Sequence, residues 1–262
     1  MLNENYKLQN TYVNYFSIRT LEEIYKVYFC FYKINSSKSI EIIKYLLHYN
    51  EYLYFQSLKY EKKIESFLLG RYIAKKSISA LVGERDLRKI WIKNGIFNQP
   101  SVICESANNV LVSITHCEKV GASIAFSDML LMGIDIEKID IKRRKLLNSQ
   151  LTHKEKEKEN EYINLCSYDS LLTIYWTVKE SISKVIKTGF LIPIDIFEVK
   201  KIEAKDDCFV SCFSNFPQFT AISIIVEEYV YSMVYPKSTE IIIDIHEMSR
   251  NLKKIITCVV EN

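Results

Sequence analysis

Between residues 174 and 188, Ile174, Val178, Ile182 and Val185 recur at helical spacing, which predicts an amphipathic helix with one buried stripe. The opposite side carries Trp176, Glu180, Ser183, Lys184 and Lys187. Glu180 and Lys184 suit an ordinary exposed i,i+4 pair, but a large aromatic ring beside them calls for something to cover it. Helical periodicity also predicts helices over 38–49 and 59–81, the second ending before Gly83. Short apolar or alternating runs predict strands over 25–34, 110–115, 121–127, 130–139, 197–204, 208–214 and 221–234. Thr152 followed by Glu155 has the capping-box pattern and starts a further helix in the charge-dense section 141–163. Residues 237–260 read as a final helix, and the first 24 residues show no clear period.

This order predicts an α+β chain of two similar halves joined near 128–140. An extension (1–24) precedes an N-terminal half (25–132), followed by a C-terminal half (133–236) and a helical tail (237–262). With 262 residues, 48% of them hydrophobic and 26% charged, there is ample material for a core. The net charge of +3 does not point to nucleic acid, so any anion site must be a local cluster. Seven scattered cysteines without a CxxC pair suggest reduced thiols rather than a disulfide or zinc framework. The start, "MLNENYKLQN", lacks the order of a signal peptide, and no apolar run reaches the ~18 residues that span a bilayer. A soluble cytoplasmic protein is the expectation.

Two stretches add chemistry. In "GIDIEKID", a strand places Asp135 and Glu137 on one side and Ile134 and Ile136 on the other. That is either a wet acidic edge or a site for a divalent cation such as Mg²⁺, with Glu180 available as a third ligand. In "VSITHCEKVGASIAFS", His116 follows Ser113 and Thr115 and is expected in a turn of small polar groups. Such a turn offers backbone N–H groups to an anion, although a surface histidine fits the same pattern. The "KEKEKENE" run suits a solvated helix face.

Together "THCEK", "GIDIE" and "WTVKESISK" resemble the signatures of the 4′-phosphopantetheinyl transferase family, in its larger, surfactin-synthetase-activating type. Weaker resemblance runs through "FLLGRYIAKKSISA" and "GIFNQPSV", covering roughly residues 25–235. The resemblance implies two α/β halves with pseudo-two-fold symmetry, each a small antiparallel sheet packed on a long helix. It implies transfer of phosphopantetheine from coenzyme A to a serine of an acyl or peptidyl carrier protein, releasing adenosine 3′,5′-bisphosphate. Asp135, Glu137 and Glu180 would then hold Mg²⁺, with Mn²⁺ an alternative. Glu180 would deprotonate the serine, directly or through a metal-bound water, and Lys184 would meet the pyrophosphate. His116, with Ser113 and Thr115, would bind coenzyme A at its 3′-phosphate, helped by Arg71 and Lys75, and Lys179 would face the phosphates. "IKRRK" (141–145) would meet an acidic carrier domain, and the protein would be a monomer. Gln99 departs from the family pattern, which places a basic residue before the proline of that segment. The competing readings are a non-catalytic module that holds coenzyme A or a carrier, and an unrelated Mg²⁺-dependent phosphohydrolase.

Overall fold

The protein is described here by a computed structural model covering residues 8, 10–106, 108–162 and 164–258. Contacts divide the chain into two units. One comprises 25–129 with the described parts of 1–17 and 250–262, the other 18–24 with 130–249.

In the first unit the elements are β1 (Tyr12–Arg19), β2 (Ile24–Lys33), α1 (Ser37–Tyr45), α2 (Tyr49–Ser57), α3 (Glu61–Val82), β3 (Trp91–Asn94), β4 (Pro100–Ile103), β5 (Val110–Cys117) and β6 (Val120–Ser127). The strands run in the order β1-β2-β6-β5, and β3 and β4 form a separate ribbon. Leu69 and Ile73 of α3 join Val112 and Ala125 of the sheet in one core. The helix stops at Gly83, whose φ of +78° is the left-handed cap that glycine adopts without cost. The strand β1 lies in the segment read as an unstructured extension. Its alternation is there, with Phe16 and Ile18 buried, but Val13 and the exposed Tyr15 on the other side, and Asn14 on the buried one, blur the polar contrast. The helix expected over 38–49 ends at Tyr45, and α2, which that expectation did not include, starts at Tyr49, where His48 caps it through a reciprocal box with Glu51.

In the second unit, β7 (Gly133–Lys138), α4 (Arg144–Ser149), α5 (His153–Tyr162) and α6 (Tyr168–Ile186) precede β8 (Val199–Lys205), β9 (Cys208–Phe213), β10 (Phe219–Val226) and β11 (Tyr229–Pro236). These strands form one sheet in the order β7-β11-β10-β9-β8. After them come β12 (Glu240–Ile242) and α7 (Ile245–Thr257), so the segment expected as one final helix opens with a strand. The helix α6 begins at the N-cap Ser167, ahead of the predicted start, because Leu171, Leu172 and Tyr175 extend its buried stripe.

Each unit therefore repeats one order: a strand, two shorter helices, a long helix, then four strands. In each, the strand before the helices pairs antiparallel with the last strand, β2 with β6 and β7 with β11. Mixed helix and antiparallel sheet make the fold α+β. Among the described residues no helix is long and apolar enough to cross a membrane.

Candidate active site

The second unit brings β7 against α6 at one glycine. A Cβ on Gly133 would stand 2.2 Å from the backbone oxygen of Ser181. That is far inside van der Waals contact, so only glycine lets the helix approach the strand this closely. Behind it Ile134 and Ile136 are fully buried, while Asp135 and Glu137 project to the other side of the strand. On α6, Ile174, Val178, Ile182 and Val185 sink into the core. This leaves Trp176, Glu180 and Lys184 on the flank beside the two strand carboxylates.

The charges there are already partnered. Lys184 Nζ donates to Asp135 Oδ1 at 2.8 Å and to the Ile134 carbonyl at 2.9 Å. Arg143 donates to Glu137 Oε2 at 2.6 Å, and the Trp176 indole N–H donates to Glu137 Oε1 at 3.2 Å. Trp176 is thus half-buried by its own unit, with its polar edge used to hold a carboxylate. Burial, followed by the charge of Asp135, pushes the Glu180 carboxyl up to about 7; Lys184 pulls the other way and Glu137 adds to the rise.

Three carboxylates that repel one another are the donor chemistry a hard divalent cation prefers. Among the described residues, however, no three His, Cys, Asp or Glu side chains already form a cage. Lys184 and Arg143 provide the neutralisation instead. The residues fit Mg²⁺ chemically, on condition that these two cations yield their carboxylates.

Two lysines expected at the phosphates lie in the interior. Lys179, 1% exposed, donates to Glu155 Oε2 at 2.7 Å and to the Gln150 carbonyl at 2.9 Å. Glu155 is 0% exposed and also accepts from the backbone N–H groups of Thr152 and Val199. The capping box of α5 is therefore an anchor joining α5, α6 and β8. Lys75, 1% exposed, is held the same way in the first unit, by Glu51 Oε2 at 2.6 Å and the carbonyls of Leu46 and Leu87 at 3.0 and 2.9 Å. All three of its donors are in use. Glu51 in turn accepts from the N–H groups of His48 and Ile92. Arg71 lies 3.6 Å from Glu51 and donates to Asn94 at 2.8 Å, and burial lowers its pKa.

His116 is in strand β5, paired with Gly121, and the turn is only Glu118 and Lys119. The pleat places His116 on the face of Val112 and Ile114, and Ser113 and Thr115 on the opposite, buried face. The turn expected to carry His116 is thus corrected: the strand runs on through it, with Ser113 and Thr115 on the other face. His116 is exposed, and its Nε2 lies 2.8 Å from Ser66 Oγ on α3. Gln99 is a turn residue: its Oε1 accepts from the Phe97 N–H at 2.9 Å. In the basic run, Arg144 is tied to Asp169 by two hydrogen bonds of 2.7 Å, while Lys142 and Lys145 are exposed.

Residues 131–234 match the family model of the 4′-phosphopantetheinyl transferase superfamily. The matched stretch takes in β7, α6 and the rest of the second unit's sheet up to β11. No curated protein matches the chain. Two residues of the site escaped the sequence reading. Arg143, which holds Glu137, was visible only as one of a basic run, and Glu155 only as a cap; their partners are set by folding.

Proposed function

We propose that this protein transfers the 4′-phosphopantetheine arm of coenzyme A to a serine of an acyl or peptidyl carrier protein, with Mg²⁺, releasing adenosine 3′,5′-bisphosphate. The observation that carries the reading is the grouping of Glu180 with Asp135, Glu137 and Lys184 on the facing flanks of α6 and β7, inside the stretch that matches the superfamily.

Serine Oγ forms a bond to the β-phosphorus of coenzyme A, and the bond from that phosphorus to the oxygen of the adenosine 5′-phosphate breaks. In this reading Glu180 takes the serine proton, directly or through a water, from its place among Asp135, Glu137 and Lys184. The Lys184 ammonium is placed to meet the negative charge that grows on the leaving phosphate. Asp135, Glu137 and Glu180 would hold Mg²⁺, which supplies neutralisation of the pyrophosphate and alignment of the reacting groups. Trp176 fixes the orientation of Glu137 through its indole N–H. His116, oriented by Ser66, is the contact for the 3′-phosphate in this reading. Lys75 and Lys179 are assigned to the fold. For the carrier, exposed Lys142 and Lys145 next to exposed Ile141 and Leu146 offer charge and apolar surface to an acidic domain.

The test is intact-mass analysis of apo acyl, polyketide and peptidyl carrier proteins incubated with this protein, coenzyme A and Mg²⁺, with and without EDTA. A gain of one phosphopantetheine that EDTA abolishes supports the transferase. No gain on any carrier, with coenzyme A still bound, supports a non-catalytic module. Release of inorganic phosphate without a carrier supports a phosphohydrolase.

A further inference from the structure

The first unit contains a cavity of about 490 Å³ that the proposed reaction does not use. Its volume lies within the range of small-molecule sites. Leu8, Val13, Leu46 and Leu87 supply apolar wall, and the C-terminal half of α3 contributes Tyr72, Lys76 and Ser79. His116 by contrast meets α3 at Ser66, near its other end.

The charges around the cavity do not balance. Among the described residues that line it, Asp86 is the one carboxylic acid, and Arg88 occupies both of its oxygens at 2.9 and 2.7 Å. That pair cancels itself. Lys76 and Arg85 also line the cavity, and among the described residues neither has an ion pair or hydrogen bond to a carboxylate. Lys76 is half-buried on α3, and the Cys30 thiol, on which its charge acts, is pushed up to about 12 by burial. The Tyr72 and Thr11 hydroxyls bond each other at 2.7 Å, and Thr11 also bonds the Leu8 carbonyl at 3.2 Å. A half-enclosed ammonium above an apolar floor is expensive to leave without a counter-ion.

We propose that this cavity binds an amphipathic monoanion, an acyl carboxylate whose head meets Lys76 and Arg85 and whose chain lies on Leu46, Leu87 and Val13. The carboxylate accepts from the Lys76 ammonium inside and from the more exposed Arg85 guanidinium at the mouth. The apolar lining accounts for the chain, since each methylene that leaves water for it favours binding.

The probe is decanoate, titrated calorimetrically into the full-length protein, with decanol as its uncharged counterpart. The expected result is saturable decanoate binding at one site, with decanol at least tenfold weaker. Lys76→Gln is expected to weaken decanoate at least tenfold and decanol little. Arg85→Gln, at the rim, costs about threefold. Ser79→Trp, which fills the cavity from α3, abolishes binding of both; if that variant fails to fold, Lys76→Gln decides alone. No decanoate binding at millimolar concentration, equal affinity for decanoate and decanol, or unchanged decanoate binding in Lys76→Gln each overturns the proposal. Phosphopantetheine transfer is read separately, so failure here leaves the proposed reaction untouched.

Discussion

Replacing Glu155 by Gln changes one oxygen into an NH₂ group and almost nothing in volume, yet it strikes the most connected polar group in the second unit. Glu155 is fully buried and accepts from Lys179 Nζ at 2.7 Å, Val199 N at 2.7 Å and Thr152 N at 2.8 Å. A glutamine has one carbonyl oxygen for three donors, and its NH₂ must face at least one of them. With the remaining oxygen at the Oε2 position, Lys179 and Thr152 keep a neutral acceptor, the NH₂ faces the Val199 N–H, and the buried ammonium loses its charged partner. Breaking a buried ion pair by neutralising one partner costs about 3–5 kcal/mol. An orphaned buried N–H adds about 1–3 kcal/mol, although the terms share one network and do not add fully. The expected loss for Glu155→Gln is about 4 kcal/mol. Urea denaturation followed by circular dichroism measures it as a lower midpoint at unchanged slope. The double variant Glu155→Leu, Lys179→Met removes both charges and should regain part of the loss, since apolar replacement of a buried pair is often neutral. If the double variant folds, its KM for coenzyme A should equal that of the wild type. A loss below about 1 kcal/mol for Glu155→Gln refutes the reasoning on stability. A raised KM in the stable double variant returns Lys179 to the phosphates.

Gly133→Ala should lower stability by about 1–3 kcal/mol, because the added methyl meets the Ser181 carbonyl and α6 must retreat; thermal melts and transfer assays should fall together, and a neutral result would mean that the helix approach is soft. Glu180→Gln should abolish transfer while the urea midpoint stays at or above wild type, since it removes a carboxylate crowded by Asp135 and Glu137. Near-normal turnover would remove Glu180 from both proposed roles. His116→Ala should raise KM for coenzyme A roughly tenfold more than KM for the analogue lacking the 3′-phosphate, a gap in line with one lost charge-assisted contact; equal effects would show that His116 does not meet that phosphate.

Periodicity alone located α3, α6 and most strands, since burial of one face leaves its mark at spacing two or 3.6 whatever the partner. The stripe Ile174, Val178, Ile182, Val185 was legible because every member goes to the core. So was the alternation in "GIDIE", which separates Ile134 and Ile136 from Asp135 and Glu137. The reading placed His116 in a turn because His and Cys after Thr115 look polar, whereas the pairing of His116 with Gly121 across the hairpin keeps it in the strand. It overlooked β1, where Val13 and Tyr15 on one side and Asn14 on the other hide the contrast between faces.

The residue types of the candidate site and their order along the chain were set by the sequence itself, because carboxylates two apart on a strand must share a side. Which lysine serves chemistry and which serves the fold was decided only by tertiary structure. Lys179 and Lys184 stand five positions apart on α6, and both look like wet charges in the sequence. Folding buries the first against Glu155 and leaves the second partly exposed on Asp135. The physical reason is that an ammonium takes its role from the carboxylate it meets and the water it loses, and both come from distant segments of the chain.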